Sequence, residues 1–235
     1  MGVAGPYVQL MRESIPSIRG LSSLYGLTYV PGTWIEGIQL NLGAGSVVNG
    51  FESITGQINV ELRKPENSDK MYLNFYASEA GRLEANANFS RKINERWSTA
   101  LLLHGKYQQV DLDRNTDGFL DMPLMNQWIG LNRWKYKDKK GLEMQFGVQG
   151  VSVEQTSGQL NNAENANSQA AWSSLVKTNR IEGWMKIGKV FPAKPYSSVG
   201  FQLSGVHHQQ EANFGRRIYN ATQNSIYANL IYQGI

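Results

Sequence analysis

The sequence predicts an all-β protein whose larger part is a run of about eight antiparallel strands of the membrane-barrel kind, and three observations predict it. From Lys70 onward apolar and polar residues alternate with period two in segment after segment, bounded by Gly, Pro, Asn or Asp. That is the pattern of strands whose successive side chains point to opposite faces. Charged residues make up only 18% of the 235, while 6 Trp, 11 Tyr and 24 Gly accompany a mean hydropathy of -0.41. A chain that is polar on average yet rich in aromatics suits a barrel in which alternate residues meet lipid and aromatic girdles mark the interfaces. The third observation is a regular alternation of short and long connections, described below.

Taken in order, Trp34 to Leu40 places Trp34, Ile35, Ile38 and Leu40 around Glu36 and Gln39 and reads as a strand. Gly43, Gly45, Asn49 and Gly50 follow, residues that tolerate a tight turn. Ile54 to Leu62 then alternates Ile54, Gly56, Ile58, Val60 and Leu62 with Thr55, Gln57, Asn59 and Glu61. Met71 to Ser78 and Leu83 to Ser90 form a hairpin, with Leu83, Ala85, Ala87 and Phe89 on the face expected to meet lipid. Trp97 to Gln108 sets Trp97, Leu101, Leu103 and Tyr107 against Ser98, His104, Lys106 and Gln108, although Ala100 and Leu102 blur the polar face. Further strands are expected at Gln127 to Lys135, Leu142 to Gln149, Arg180 to Lys189 and Ser198 to His207, and around Ile226, Ala228, Leu230 and Tyr232.

The links at Lys92 to Arg96, Lys137 to Gly141 and Phe191 to Tyr196 are short. Those at Val110 to Asn126, Glu154 to Asn179 and Gln209 to Asn224 are long and polar. Tight turns at one end and extended loops at the other are what an outer-membrane barrel shows, whereas a soluble up-and-down barrel or sandwich, the alternative, has no need of the asymmetry.

Composition excludes several classes. No apolar run approaches the roughly 18 residues of a transmembrane helix. The absence of Cys removes disulfides, thiolate metal sites and Cys nucleophiles. A net charge of +4 spread through turns gives no basic stripe for nucleic acid. No convincing Ser, His and Asp constellation is present, and Gly43-Ala44-Gly45 lacks the third Gly and the helix of a phosphate loop, so no catalytic residue and no enzyme is expected.

One family resemblance is carried by specific residues. Ile35, Glu36, Ile38, Gly43, Ser46, Asn49, Gly50, Gly56, Ile58, Asn59 and Lys64-Pro65 resemble the pattern that closes the plug domain of TonB-dependent outer-membrane receptors just before the barrel begins. Arg19-Gly20-Leu21-Ser22-Ser23, Tyr25-Gly26 and Pro31-Gly32-Thr33-Trp34 resemble the subset found in Bacteroidetes-type receptors. The resemblance implies residues 1–65 as the C-terminal part of a plug and 66–235 as the N-terminal part of a transmembrane β-barrel. Because a plugged lumen takes about 22 strands, we expect a fragment. Met1 to Pro6 shows no export signal, and Tyr232 to Ile235 lacks a terminal barrel aromatic.

What the resemblance implies for function is capture of a scarce ligand, a ferric siderophore or other metal complex, at the outer membrane of a Gram-negative bacterium. The partners are then outer-membrane lipid, the small-molecule metal chelate and the inner-membrane TonB energy-transducing complex, with no cofactor required. Arg19, Tyr25 and Tyr29, in the segment implied to be the plug apex, are the expected ligand contacts. Met11-Arg12-Glu13-Ser14-Ile15-Pro16 departs from the family's Asp-Gly before Ile-Pro. The other class kept open is a non-transport Ca²⁺-binding or adhesive surface β-protein.

Asp111 to Asp121 carries the spacing of a Ca²⁺ loop. Asp113, Asn115, Asp117 and Asp121 supply oxygens at loop positions 1, 3, 5 and 9, Gly118 allows the sharp turn, and Phe119 offers its backbone carbonyl. Leu124 stands where a bidentate acid would complete the shell, so a weak structural site is expected; a solvated Asx turn explains the same residues. His207 and His208 alternate across a strand and should not share a metal, and His104 reads as a lumen-facing polar residue.

Overall fold

The structure is a computed structural model that describes residues 7–23, 25–50, 52–160 and 172–234. Two sheets account for it. The small one comprises β1 (Val8–Arg12), β2 (Ile15–Ile18), β3 (Ile35–Leu42) and β4 (Gly56–Leu62) in the order β2-β1-β4-β3. β1 runs parallel to β4 and the other pairings are antiparallel, so the sheet is mixed. The β1–β2 reversal uses Glu13 and Ser14 at φ 54° and 62°, a left-handed conformation that costs a non-glycine residue. Two bonds hold it: Glu13 N donates to Val60 O at 2.9 Å and Ser14 N to Asn59 Oδ1 at 2.8 Å.

The large sheet is an antiparallel meander of β5 (Met71–Ala77), β6 (Arg82–Lys92), β7 (Trp97–Gln108), β8 (Leu124–Lys137), β9 (Leu142–Gly158), β10 (Ser173–Phe191), β11 (Lys194–Phe214) and β12 (Arg217–Gln233). The all-β expectation with about eight barrel-type strands therefore holds. Trp34 is corrected from strand to the end of a 3₁₀ turn, Gly32–Trp34, where its ring is fully buried, and β4 starts at Gly56 rather than Ile54.

The largest correction concerns the link expected at Gln209 to Asn224. β11 and β12 continue through it in register and reverse at Gly215, whose φ is 58°. The polar character of the segment conceals a period-two pattern, with Ala212, Phe214, Tyr219 and Ala221 on one face. At 21 residues β11 is roughly 70 Å long, well beyond the 9–11 residues that span a bilayer. The expected link at Glu154 to Asn179 likewise shrinks, since β9 and β10 extend to Gly158 and from Ser173. Residues 161–171 of that link, Met1 to Pro6 and Ile235 lie outside the described residues, while Tyr232 and Gln233 end β12.

The small sheet packs on one face of the large one, hereafter the inner face. Tyr29, Val30, Trp34, Val60 and Leu62 meet Ala100, Leu102, Ile129, Leu131 and Val151 in a single buried cluster. This explains why Ala100 and Leu102 interrupt the polar alternation of β7: the inner face turns apolar where the small sheet presents Val60 and Leu62. Residues of opposite parity on the wall remain exposed, among them Trp128 (64%), Ile226 (85%) and Leu230 (71%).

Candidate functional site

Around that apolar cluster the seam between the sheets is ionic. Period two puts Arg133 and Lys135 of β8, Gln145 and Gln149 of β9, and Arg180, Glu182, Trp184 and Lys186 of β10 on the inner face. Arg12 and Glu13, at the β1–β2 reversal, enter this field. Arg12 Nη2 lies 2.7 Å from Glu182 Oε1 without aligned hydrogen-bond geometry, and Arg12 Nη1 donates to Gln149 Oε1. Glu13 Oε1 accepts from Arg133 Nη1 at 3.0 Å and from Leu62 N at 3.0 Å, and its Oε2 accepts from Lys186 Nζ at 3.1 Å. Burial alone would raise the Glu13 pKa, but Arg133 and Lys186 outweigh it and hold the carboxyl below its usual range.

Cations exceed anions here, and main-chain oxygens take up the surplus. Arg133 Nη1 donates to the carbonyls of Leu62 and Arg63 at 3.3 and 3.1 Å, Lys186 Nζ to that of Glu13 at 2.9 Å and Arg180 Nη2 to that of Ser17 at 2.9 Å. Arg133 also lies over the Trp184 ring, 5.6 Å from its centroid. Ion pairs in such a place add little net stability over an apolar contact of the same shape, yet breaking one strands a charge at a cost of about 3–5 kcal/mol. The arrangement fixes how the small sheet seats and penalises its partial release.

The residues expected to meet ligand occupy one segment but face different ways. Arg19 is partly exposed; its Nε donates to Pro16 O at 2.9 Å, Nη1 lies 3.6 Å from Glu52 Oε1, and the guanidinium is 5.8 Å from the Tyr227 ring of β12. Tyr25 is half-buried and packs against the core cluster. Tyr29 is buried, with its ring 6.5 Å from that of His208 and its carbonyl accepting from Gln149 Nε2 at 2.8 Å. The structure thus engages Tyr29 in the seam and leaves Arg19 and Tyr25 partly exposed.

The acidic loop is closed on itself. Asp113 accepts from the amides of Asp117 and Gly118 at 3.1 and 2.9 Å, Asp117 from that of Phe119 at 2.9 Å and Asp121 from that of Arg114 at 2.9 Å, while Asn115 Nδ2 donates to Asp117 at 3.0 Å. Among the described residues no group of three or more His, Cys, Asp or Glu converges as a metal cluster. His208 is buried and His207 exposed, on opposite faces, and His104 Nδ1 sits 2.8 Å from Asn86 Oδ1 on the inner face.

The outer face supplies the complementary half of the geometry. Trp97 lies 6.4 Å from Trp134 and 5.0 Å from Tyr136, and Phe146 stacks on Trp134 at 6.3 Å, an aromatic band near the short turns. Above it the outer positions of β11 read Val199, Phe201, Leu203 and Gly205 before His207 and Gln209, and those of β12 read Tyr232, Leu230, Ala228 and Ile226 before Asn224. An apolar belt with an aromatic edge and a polar crown is the profile of a sheet that crosses a bilayer.

Sequence reasoning missed Arg133, Arg180, Glu182 and Lys186. The available signal was a run of charges at alternate positions, Arg180, Glu182 and Lys186 on one strand and Arg133 and Lys135 on another, opposite apolar residues of the other parity.

No protein-family model and no curated protein sequence matches the chain. Among solved structures it is similar to the ferric-catecholate import receptor Fiu from E. coli K12 in its open form, with a TM-score of 0.65 and 11% identity over 98% of this chain. The ferric yersiniabactin uptake receptor FyuA from Yersinia pestis follows at TM-score 0.37 and 12% identity over 97% of this chain and 52% of its own, and the alcaligin outer-membrane receptor FauA from Bordetella pertussis at 0.38 and 11% over 95% and 51%. The chain spans 39% of the Fiu structure. That likeness shows the fold, a small mixed sheet of the plug kind seated against consecutive strands of a receptor barrel.

Proposed function

We propose that this chain is the rear of the plug, residues 1–65, and the first strands of the barrel, residues 66–235, of a TonB-dependent outer-membrane receptor. In this reading the receptor imports a ferric siderophore or another metal complex across the outer membrane of a Gram-negative bacterium. One observation carries the proposal: a wall that is apolar and exposed on its outer face carries, on its inner face, a charged seat for a separate small sheet. A soluble scaffold would bury the outer face, and a simple pore would leave the inner face open to water. The fold likeness to Fiu, a ferric-catecholate import receptor, supports the class of ligand. Energy to unseat the small sheet comes, in this reading, from the inner-membrane TonB complex.

Arg19 is the proposed first contact for an anionic chelate, with Tyr25 beside it and Tyr29 anchoring the segment beneath. A weak structural Ca²⁺ site on Asp113, Asn115, Asp117, Asp121 and the Phe119 carbonyl is proposed for the long loop between β7 and β8, where millimolar external Ca²⁺ would fill it. The test is binding of iron(III) complexed by 2,3-dihydroxybenzoate to the intact protein in outer-membrane vesicles. Arg19→Ala should weaken it by about 10- to 150-fold, the worth of a hydrogen bond to a charged group. Absence of binding by any ferric chelate from a catecholate, hydroxamate and carboxylate panel would overturn the iron reading.

A further inference from the structure

We propose that Arg180 is a two-position coupling residue that links the apex turn Arg19–Ser23 to the buried Arg12–Glu182 pair, so that disturbance of the apex loosens the seat of the small sheet. The inference rests on the receptor reading above and concerns how its two ends communicate.

Arg180 divides its donors between the two regions. Nη2 donates to Ser17 O at 2.9 Å and Nη1 to Ser22 Oγ at 3.4 Å, both on the small sheet side of the apex. The same Nη2 donates to Glu182 Oε2 at 2.7 Å, and the other oxygen of Glu182 faces Arg12. Ser22 in turn is tied to the exposed end of the turn: its Oγ accepts from Arg19 N at 3.1 Å and donates to Arg19 O at 2.9 Å. A continuous polar path therefore runs from Arg19 through Ser22, Arg180 and Glu182 to Arg12.

A path alone does not couple two sites; an element with two arrangements does. His208 supplies the second arrangement. It is the direct cross-strand partner of Arg180, inner face to inner face, which places their Cβ atoms about 4.5–5.5 Å apart. His208 is buried, and neither of its ring nitrogens has a hydrogen-bond partner among the described residues. A neutral imidazole keeps one lone pair, an acceptor within the sweep of the guanidinium. With the apex in place, Arg180 bonds Ser17 and Ser22 and shares Glu182 with Arg12. When the apex shifts, donors freed in a dry seam must find another acceptor. Turning to His208 satisfies them and draws Glu182 away from Arg12, whose charge is then poorly matched.

The test reads amide hydrogen exchange in the intact protein in detergent, with no ligand added, so its result is independent of whether a ferric complex is the cargo. Ser22→Ala removes the buried hydroxyl that accepts from both Arg19 and Arg180. It should speed exchange of the Val8–Arg12 amides by about threefold or more, the size of coupling within one contact network. The acceleration should disappear when Ser22→Ala is combined with Arg180→Met, or with Arg180→Lys if Arg180→Met does not fold, and should be reduced by His208→Phe. An effect of Ser22→Ala confined to residues 19–23, or one of equal size in the Arg180 variants, overturns the proposal.

Discussion

The two faces of the large sheet obey opposite burial rules although the same strands build both. On β11, Gln202, Ser204 and His208 point inward and Phe201, Leu203 and Gly205 point outward; on β10, Arg180, Glu182 and Lys186 point inward and Ile181, Met185 and Ile187 outward. In a protein surrounded by water the charged face would be outside. The inversion teaches that two different media shape this sheet, lipid on one side and a polar partner sheet on the other. The partner sheet meets the wall in an apolar cluster and is oriented by the charges around it, and each face can be challenged separately.

The largest effect is expected from the inner face. Glu182→Ala leaves Arg12 and Arg180 buried without their shared anion and should weaken seating of the small sheet by about 3–5 kcal/mol. Limited proteolysis of residues 7–62 in the intact protein reads it, and unchanged protection would show the seam to be hydrated and unimportant. On the outer face, Leu203→Arg should cost about 2–4 kcal/mol if the position lies near the bilayer midplane, while Gln202→Arg, one residue away on the inner face, should cost little. Equal costs in a membrane-refolding titration would break the contrast of faces.

Acid sharpens it further. Glu13 titrates below its ordinary value of 4.5 when the small sheet is seated, so its contribution is fully present above that value and is lost as pH falls through the depressed one. Seating should be flat from neutrality down to pH 4.5 and weaken below it, and Glu13→Gln should flatten that acid limb. An identical acid limb in the variant assigns the transition to other carboxylates. The smallest effect lies beyond both faces, in the acidic loop. Calorimetry should detect Ca²⁺ with a Kd on the order of 10⁻⁴–10⁻³ M that Asp117→Ala abolishes, without altering seating. No heat at millimolar Ca²⁺ would mark the loop as an Asx turn and nothing more.

Faces were legible in the sequence because parity is local: Leu83 and Phe89 read outward, and Asn86 and Asn88 inward, as the structure has them. Strand ends above the membrane were not, since Gln209 to Phe214 meets water on one side and carries few large apolar residues to mark the alternation. The ionic seam was illegible for another reason. Glu13 meets Arg133 across 120 residues and Lys186 across 173, and nothing near Arg12-Glu13 announces partners that far along the chain. Ala100 and Leu102 were the visible trace of docking, present in the sequence as a flaw in a pattern.

The placement of β1 has a mechanical consequence. It is flanked by β2 on one side and β4 on the other, and its five register pairs with β4 run parallel. Tension applied at the Tyr7 end along the strand axis loads those rungs together, in shear, and the small sheet resists as a block. Tension applied crosswise meets the rungs one at a time and unzips them. Arg12 and Glu13 sit at the far end of the same strand, so an axial pull is transmitted through the intact ladder to the charged seat, whereas a transverse pull is spent stripping β1 before the load arrives.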